Sequence, residues 1–343
     1  MTTPPQTPVF VDQLTPGAAA STIDEADPAA AYFKLLARLR SPLTLRELMI
    51  QSVRSGYIGQ AEPIDPASLP PSAAELYPDV RVGDLFIPSP LGPIRCQTFA
   101  PGARTGALPL LVYLHGGGFT VGASEDTAYI TSRIAEENGM LVVSVNYRLA
   151  PEWPFPAGLE DTLAVLQWLR INGAEIGGDP DFIAVGGDSA GGNMAAALPL
   201  KANDEGARAP DAALLLCPIT DFNVERHASF EALAPRGIIY DTAFLGYIRG
   251  AYVVHHRLWS HPHASPAFGD LSTYPPTVIV AGGVDPIVDD NRAFAQKLEA
   301  AGRPVTLHVE PAMPHGFYFF PRLLPQGEAA FAAIRRFLSP LIA

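Results

Sequence analysis

The chain is short of sulfur and of charge. Of its 343 residues, two are cysteine and five methionine, and Asp, Glu, Lys and Arg together make up 17%. Cys96 and Cys217 each lie in an apolar, strand-like context. They read as buried thiols and not as a disulfide, which suits a cytoplasmic protein. Long apolar runs are missing too: Leu108 to Leu114 and Leu141 to Val145 are far too short to span a bilayer. The first residues, Met1-Thr-Thr-Pro-Pro-Gln-Thr-Pro8, lack a basic stretch followed by an apolar core, so no secretory signal is expected. Positive charge is scarce, and the formal net charge of −12 argues against nucleic acid or an anionic membrane as partner. What is abundant is apolar surface: 48% of residues are hydrophobic, a globular composition in a chain long enough to bury a sizeable core.

The chain divides unevenly. Residues 1–30 are rich in Pro, Thr and Ala without periodicity and read as a surface arm. In residues 31–76, Tyr32, Leu35, Leu36 and Leu39 recur at helical spacing. Ser41-Pro42 and Thr44-x-x-Glu47 supply start signals for a second helix through Leu48, Met49 and Val53, and a proline-punctuated linker follows from Gly56. From residue 77 to 218, near-continuous apolar strands alternate with amphipathic helices. Two short strands, Val80–Phe86 and Ile94–Thr98, flank a proline-rich turn, and the alternation then starts at Leu108. It resumes in residues 264–343. This rhythm predicts an α/β fold with a mostly parallel sheet covered on both faces. Residues 219–263 interrupt it with no strand signal and an aromatic helical pattern in Phe244, Tyr247, Ile248, Ala251 and Tyr252. Two placements are open for this insertion: with the helices of 31–76 as a cap over the sheet's ligand crevice, or as a helix pair on one flank.

Chemistry concentrates at Asp181-Phe-Ile-Ala-Val-Gly-Gly-Asp-Ser-Ala-Gly-Gly-Asn193. A strand runs into Gly187-Asp188-Ser189-Ala190-Gly191, which fits the G-x-S-x-G turn that lifts a serine hydroxyl above a sheet edge. His115-Gly-Gly-Gly-Phe119 follows another strand, and its glycines leave backbone N–H groups free for a tetrahedral oxyanion. No Lys-Ser/Thr follows those glycines, so a phosphate cradle is disfavoured. Of eight histidines, His315 alone falls in a loop between a late strand and the last helix, where the base of a Ser…Asp…His order belongs. His308 sits within a strand, and His115 opens the glycine loop, where holding that loop is the expected role. The orienting acid should follow the strand at Val278–Val280. Asp285 is the first carboxylate there, and Asp221, after the preceding strand, competes for the role. Asp289 and Asp290 read as the N-terminal cap of the next helix. Asp188 should point away from the serine and serve a structural hydrogen bond. His255, His256, His261 and His263 lack metalloenzyme spacing, so they read as a polar rim and no metal is expected.

With these residues in place, the sequence resembles the hormone-sensitive lipase family of α/β-hydrolase carboxylesterases. The resemblance rests on His115-Gly-Gly-Gly-Phe119, Asn146-Tyr-Arg-Leu-Ala-Pro-Glu152, Gly187-Asp-Ser-Ala-Gly-Gly192, Ala264-Ser-Pro266, Asp285-Pro-Ile-Val-Asp289 and His315-Gly-Phe317, in that order. It covers the chain from about Pro109 onward and a helical N-terminus of the kind this family uses for its cap. It implies ester hydrolysis through an acyl-enzyme without a cofactor. Ser189 would be nucleophile, Asp285 acid and His315 base, with the N–H groups of Gly117, Gly118 and Ala190 as oxyanion donors. Arg148 and Glu152 would hold loops near the site. The implied substrate is a small-molecule ester with a short to medium acyl chain, and a homodimer is compatible with the family. An amide or lactone hydrolase would use the same triad. A ligand-binding receptor on this scaffold would have no use for His315.

Overall fold

Side chains of a strand alternate between the two faces of its sheet, so a strand apolar at every position needs cover on both sides. Leu108–Leu114 is such a strand: Leu110, Val112 and Leu114 enter one hydrophobic core, while Leu111 and Tyr113 enter the other. The computed structural model describes residues 73–102, 106–236, 240–319 and 324–342. The arm expected over 1–30 and the helices expected between 31 and 53 lie outside the described residues, as does nearly all of the linker after Gly56.

Eight strands form one sheet: β1 (Arg81–Ile87), β2 (Ile94–Ala100), β3 (Leu108–Leu114), β4 (Leu141–Val145), β5 (Gly178–Asp188), β6 (Ala212–Leu216), β7 (Thr277–Gly282) and β8 (Val305–Glu310). Their spatial order is β1-β2-β4-β3-β5-β6-β7-β8. The first two strands pair as the expected hairpin, Ile87 opposite Ile94, and β2 pairs antiparallel with β4. Every pairing from β4 to β8 is parallel. A short helix, α1 (Ala73–Leu76), precedes the sheet, and the helices after it are α2 (Ala128–Asn138), α3 (Ala157–Asn172), α4 (Ala190–Asp204), α5 (Ala228–Leu233), α6 (Thr242–Ala251), α7 (Val288–Ala300) and α8 (Gly327–Leu338). The last helix and α2 put Phe331, Ile334, Ile130 and Ile134 into one core. The opposite core takes Leu159, Leu163 and Leu166 of α3, Met194 and Leu198 of α4, and Phe294 and Leu298 of α7. Among the described residues, no helix is long and apolar enough to cross a membrane.

This order positions the site. The helix after β3 packs on one face and the helix after β5 on the other, so the chain parts above the carboxyl ends of these adjacent strands and leaves a crevice. The expected strand boundaries shift only by a few residues. The largest change is β5, which begins at Gly178 because a register shift after Pro109 lets Leu108 and Pro109 pair with Gly178 and Asp179. The insertion contains no strand among its described residues and carries α5 and α6. The aromatic pattern of α6 does not all face inward: Leu245 and Ile248 are buried, whereas Tyr247 is exposed.

The turn from β5 into α4 lies directly against the end of β3. A Cβ on Gly191 would stand 2.0 Å from the Leu114 carbonyl oxygen and 2.5 Å from that of His115, both fixed backbone atoms. No side chain fits there. Gly191→Ala is therefore expected to destabilise the fold by about 1–3 kcal/mol as an overpacked core site does. Chemical denaturation of the two proteins checks this.

Candidate active site

A serine at the tip of a strand-to-helix turn needs a backbone that side chains resist. Ser189 adopts φ 54° and ψ −115°, a strained conformation that costs on the order of 1–3 kcal/mol. Its N–H donates to the Leu216 carbonyl at 2.8 Å, and its own carbonyl accepts from Asn193 N–H at 2.9 Å, so the strand end and the first turn of α4 hold it. The sharp turn carries the hydroxyl into a cavity of about 240 Å³. His115, Gly116, Gly117, Gly118, Phe244, His315, Tyr318 and Phe319 are among the residues around it.

Three elements far apart in sequence converge on that hydroxyl. His315, in the loop after β8, places Nε2 at 3.0 Å from Ser189 Oγ. Its Nδ1 lies 2.6 Å from Asp285 Oδ2, just past the end of β7. Asp285 is fully buried and His315 nearly so. The other Asp285 oxygen accepts from Ile287 N–H at 3.1 Å, fixing the carboxylate to its own turn. The chain of contacts can take a proton from the serine, hold it on the imidazole and stabilise the resulting charge.

The glycine loop faces Ser189 across the cavity. Gly117 has φ 119°, and a Cβ there would meet the Val121 carbonyl at 2.1 Å, so both conformation and space demand glycine. Ala190 opens α4, where the first N–H groups have no intrahelical acceptor. His115 does not reach the serine. Its Nδ1 lies 2.7 Å from the Gly116 carbonyl and its ring stacks on Tyr147 at 4.2 Å, while Tyr147 Oη donates to the His115 carbonyl at 2.6 Å. Burial lowers the His115 pKa to about 4, which keeps the ring neutral as a loop support. Asp188 also points away from the hydroxyl and accepts from Tyr113 Oη at 3.0 Å. Burial raises its pKa to about 7.

The competing acid is engaged elsewhere. Asp221 pairs with Arg226 and accepts Asn223 N–H at 2.8 Å. Asp289 and Asp290 differ from the expected helix cap, because the cap position is Ile287 and has no side-chain bond. They lie inside the first turn of α7 and reach outward instead. Asp289 accepts from Ser229 N–H at 2.9 Å, and Asp290 accepts Thr220 N–H and Oγ1–H, both at 2.6 Å. Arg148 binds Asp161 at 2.9 Å and the Ala157 carbonyl at 3.0 Å, which secures the start of α3. His308 lies 3.5 Å from Glu310.

The histidines of the insertion do not converge on one point. His263 Nε2 meets Asp204 at 2.7 Å, and His261 Nδ1 accepts His263 N–H at 3.1 Å. Among the described residues, the group with donor atoms close enough for a metal is Cys217, Asp285 and His315, within 4.8 Å of one another. His315 Nδ1 and Asp285 Oδ2 are already spent on each other, and burial holds the Cys217 thiol well above its ordinary range and protonated. Both cysteines are free and buried, as expected.

Three neighbours of the site escaped the sequence reading. Tyr240 Oη lies 3.4 Å from Ser189 Oγ, and its ring stands edge-on to His315 at 4.8 Å. Phe244 lies over the glycine loop, where a Cβ on Gly118 would come 2.9 Å from its Cζ. Asn193 Nδ2 donates to the carbonyls of Ile219 and Ala264, each at 2.7 Å, and so ties both ends of the insertion to the turn that holds the serine. Asn193 ends the glycine-rich stretch and was open to notice. Tyr240 has no local signal, since its role arises only when the insertion folds back.

Burial also raises the Asp290 pKa to about 7, against an unfolded value of about 3.9. A raised carboxyl favours the folded state below the unfolded value, and that contribution is lost as pH rises through about 7. Asp290→Asn has no such titration. The stability of the parent relative to this variant is expected to fall between pH 5 and pH 8, as read from melting temperatures of the two proteins.

Comparison with known proteins identifies the fold and the family. A model of the alpha/beta hydrolase fold family matches residues 111–319. The carboxylesterase NlhH of Mycobacterium tuberculosis is 37% identical over 273 residues, covering 77% of this chain and 85% of its own. An acetyl-hydrolase of Streptomyces hygroscopicus is 36% identical over 228 residues, 66% of this chain and 74% of its own. Among solved structures, a hyperthermophilic esterase from Pyrobaculum calidifontis superposes with a TM-score of 0.74 at 33% identity, covering 79% of this chain and 90% of that one. A thermostable esterase from Pseudomonas putida ECU1011 gives 0.77 at 28% identity, with 90% and 94% covered. The chain belongs to the α/β-hydrolase fold family and, within it, to the carboxylesterases of the hormone-sensitive lipase family.

Proposed function

We propose that this protein is a serine carboxylesterase that hydrolyses small esters of short to medium acyl chain through an acyl-enzyme, with Ser189, His315 and Asp285 as its triad. The observation that carries this reading is the unbroken series of contacts from Ser189 Oγ to His315 Nε2 at 3.0 Å and from His315 Nδ1 to Asp285 Oδ2 at 2.6 Å. His315 takes the Ser189 proton as Oγ attacks the ester carbonyl carbon. The carbonyl electrons move to oxygen, and the N–H groups of Gly117, Gly118 and Ala190 receive that oxyanion. The imidazolium then protonates the leaving alcohol. Water, deprotonated by the same imidazole, attacks the acyl-enzyme and returns Ser189 with release of the acid. Each oxyanion donor is worth about 3–4 kcal/mol at the transition state.

The acyl-length part of the reading is supported by the modest cavity and by a relative described as an acetyl-hydrolase. The insertion of residues 219–263 serves as part of a cap. Support comes from Phe244 over the glycine loop and from Tyr240 against Ser189, both of which approach from above the strand ends.

Ser189→Ala is expected to abolish turnover of p-nitrophenyl acetate and butyrate. Retention of more than a few percent of the parental rate would contradict the assignment. Asp285→Asn should lower kcat by about 10⁴-fold, since the imidazole loses its orienting carboxylate. Asp221→Asn should leave kcat within a few-fold and lower the melting temperature instead. A larger loss of kcat from Asp221→Asn than from Asp285→Asn would contradict this assignment and move the acid to the loop after β6.

A further inference from the structure

Ser189 Oγ has a second polar neighbour besides His315. Tyr240, from the insertion, is fully buried and sets its hydroxyl 3.4 Å from Oγ. The separation is long for an O–H···O bond, as catalytic hydrogen bonds often are before substrate binds. Its ring is held from two sides, edge-on to His315 at 4.8 Å and edge-on to Phe244 at 5.4 Å. A buried tyrosine hydroxyl needs a partner, and among the described residues Ser189 Oγ lies within reach of this one. Burial holds the phenol above its ordinary range, so it stays protonated and able to donate.

We infer that Tyr240 is a further catalytic residue: its hydroxyl donates a hydrogen bond to Ser189 Oγ and promotes deacylation rather than acylation. The asymmetry follows from how well Oγ accepts along the reaction. In the free enzyme Oγ is a hydroxyl oxygen that gives its proton to His315 and accepts well. In the acyl-enzyme it is the bridging oxygen of an ester, its lone pair shared with the carbonyl, and it accepts poorly. Acylation therefore weakens the Tyr240 bond, and the bond gives that step no help.

Deacylation runs the other way. Water adds to the acyl carbon while His315 Nε2 takes one of its protons, and Oγ loses conjugation and becomes more basic. The C–Oγ bond then breaks, its electron pair stays on Oγ, and His315 returns the proton to Oγ. Acid and free serine result, and Tyr240 keeps its own proton throughout. A donor aimed at Oγ gains strength as that oxygen becomes the leaving group, and only interactions stronger in the transition state than before it accelerate the step.

The inference rests on Ser189 being the nucleophile, and p-nitrophenyl dimethylcarbamate separates the two claims. This reagent carbamoylates an activated serine with release of p-nitrophenol. Recovery of activity after its removal reports loss of the carbamoyl group from Oγ, so each half-reaction is read alone. Tyr240→Phe keeps the ring against His315 and Phe244 and removes only the hydroxyl. Carbamoylation of Tyr240→Phe is expected within about twofold of the parent, and decarbamoylation about tenfold slower. Equal slowing of both steps would make Tyr240 a packing residue and overturn the inference. So would two unchanged rates. A parent protein that acquires no carbamoyl group on Ser189 by peptide mass would overturn both this inference and the triad itself.

Discussion

The site depends on two backbone segments that touch without side chains between them. The turn after β5 and the loop after β3 meet at Gly191, where the carbonyls of Leu114 and His115 leave no room for even a methyl group. On the opposite side of the same contact, a Cβ on Gly116 would stand 2.3 Å from Asp188 Oδ2. This contact sets the distance between the serine and the N–H groups across the cavity. It also confines the strained turn of Ser189, whose backbone bonds to Leu216 and Asn193 offset a conformation the residue would not adopt alone. Every other part of the site is placed relative to that pair of segments.

The sheet explains why the contact occurs where it does. Six parallel-paired strands bring their carboxyl ends to one side, and the parting of α2 and α4 to opposite faces opens the crevice between β3 and β5. The loops after β7 and β8 then deliver Asp285 and His315 from one flank, a carboxylate and an imidazole that follow neighbouring strands. Apolar cores on both faces hold the strand ends in register, so a histidine and a serine 126 residues apart meet at hydrogen-bonding distance.

The alternation of strands and helices was legible in the sequence because the central strands β3, β4, β6 and β7 are apolar at nearly every position and are separated by stretches with helical periodicity. The elbow, the glycine loop and the positions of Ser189, Asp285 and His315 were legible for a related reason: each lies within a few residues of a strand end. Asp285 and Asp221 were not separable by that logic, since both follow strands. Only the folded chain engages Asp221 with Arg226 and Asn223 and leaves Asp285 for the imidazole. Asp290 was misread as a cap because its partners, Thr220 N–H and Oγ1–H, come from a loop 70 residues away. Tyr240 and Phe244 belong to the same class of miss. Their neighbours are set by how the insertion folds back onto the sheet, and no local pattern encodes that.

The central claim is that the buried pair His315–Asp285 activates Ser189 in particular. The most direct test is labelling with a fluorophosphonate followed by peptide mass mapping, in the parent and in His315→Ala. One phosphonyl group per chain is expected, carried by Ser189, with labelling slowed by orders of magnitude when His315 is removed. Modification at another residue, or equal labelling of Ser189 without His315, would contradict it.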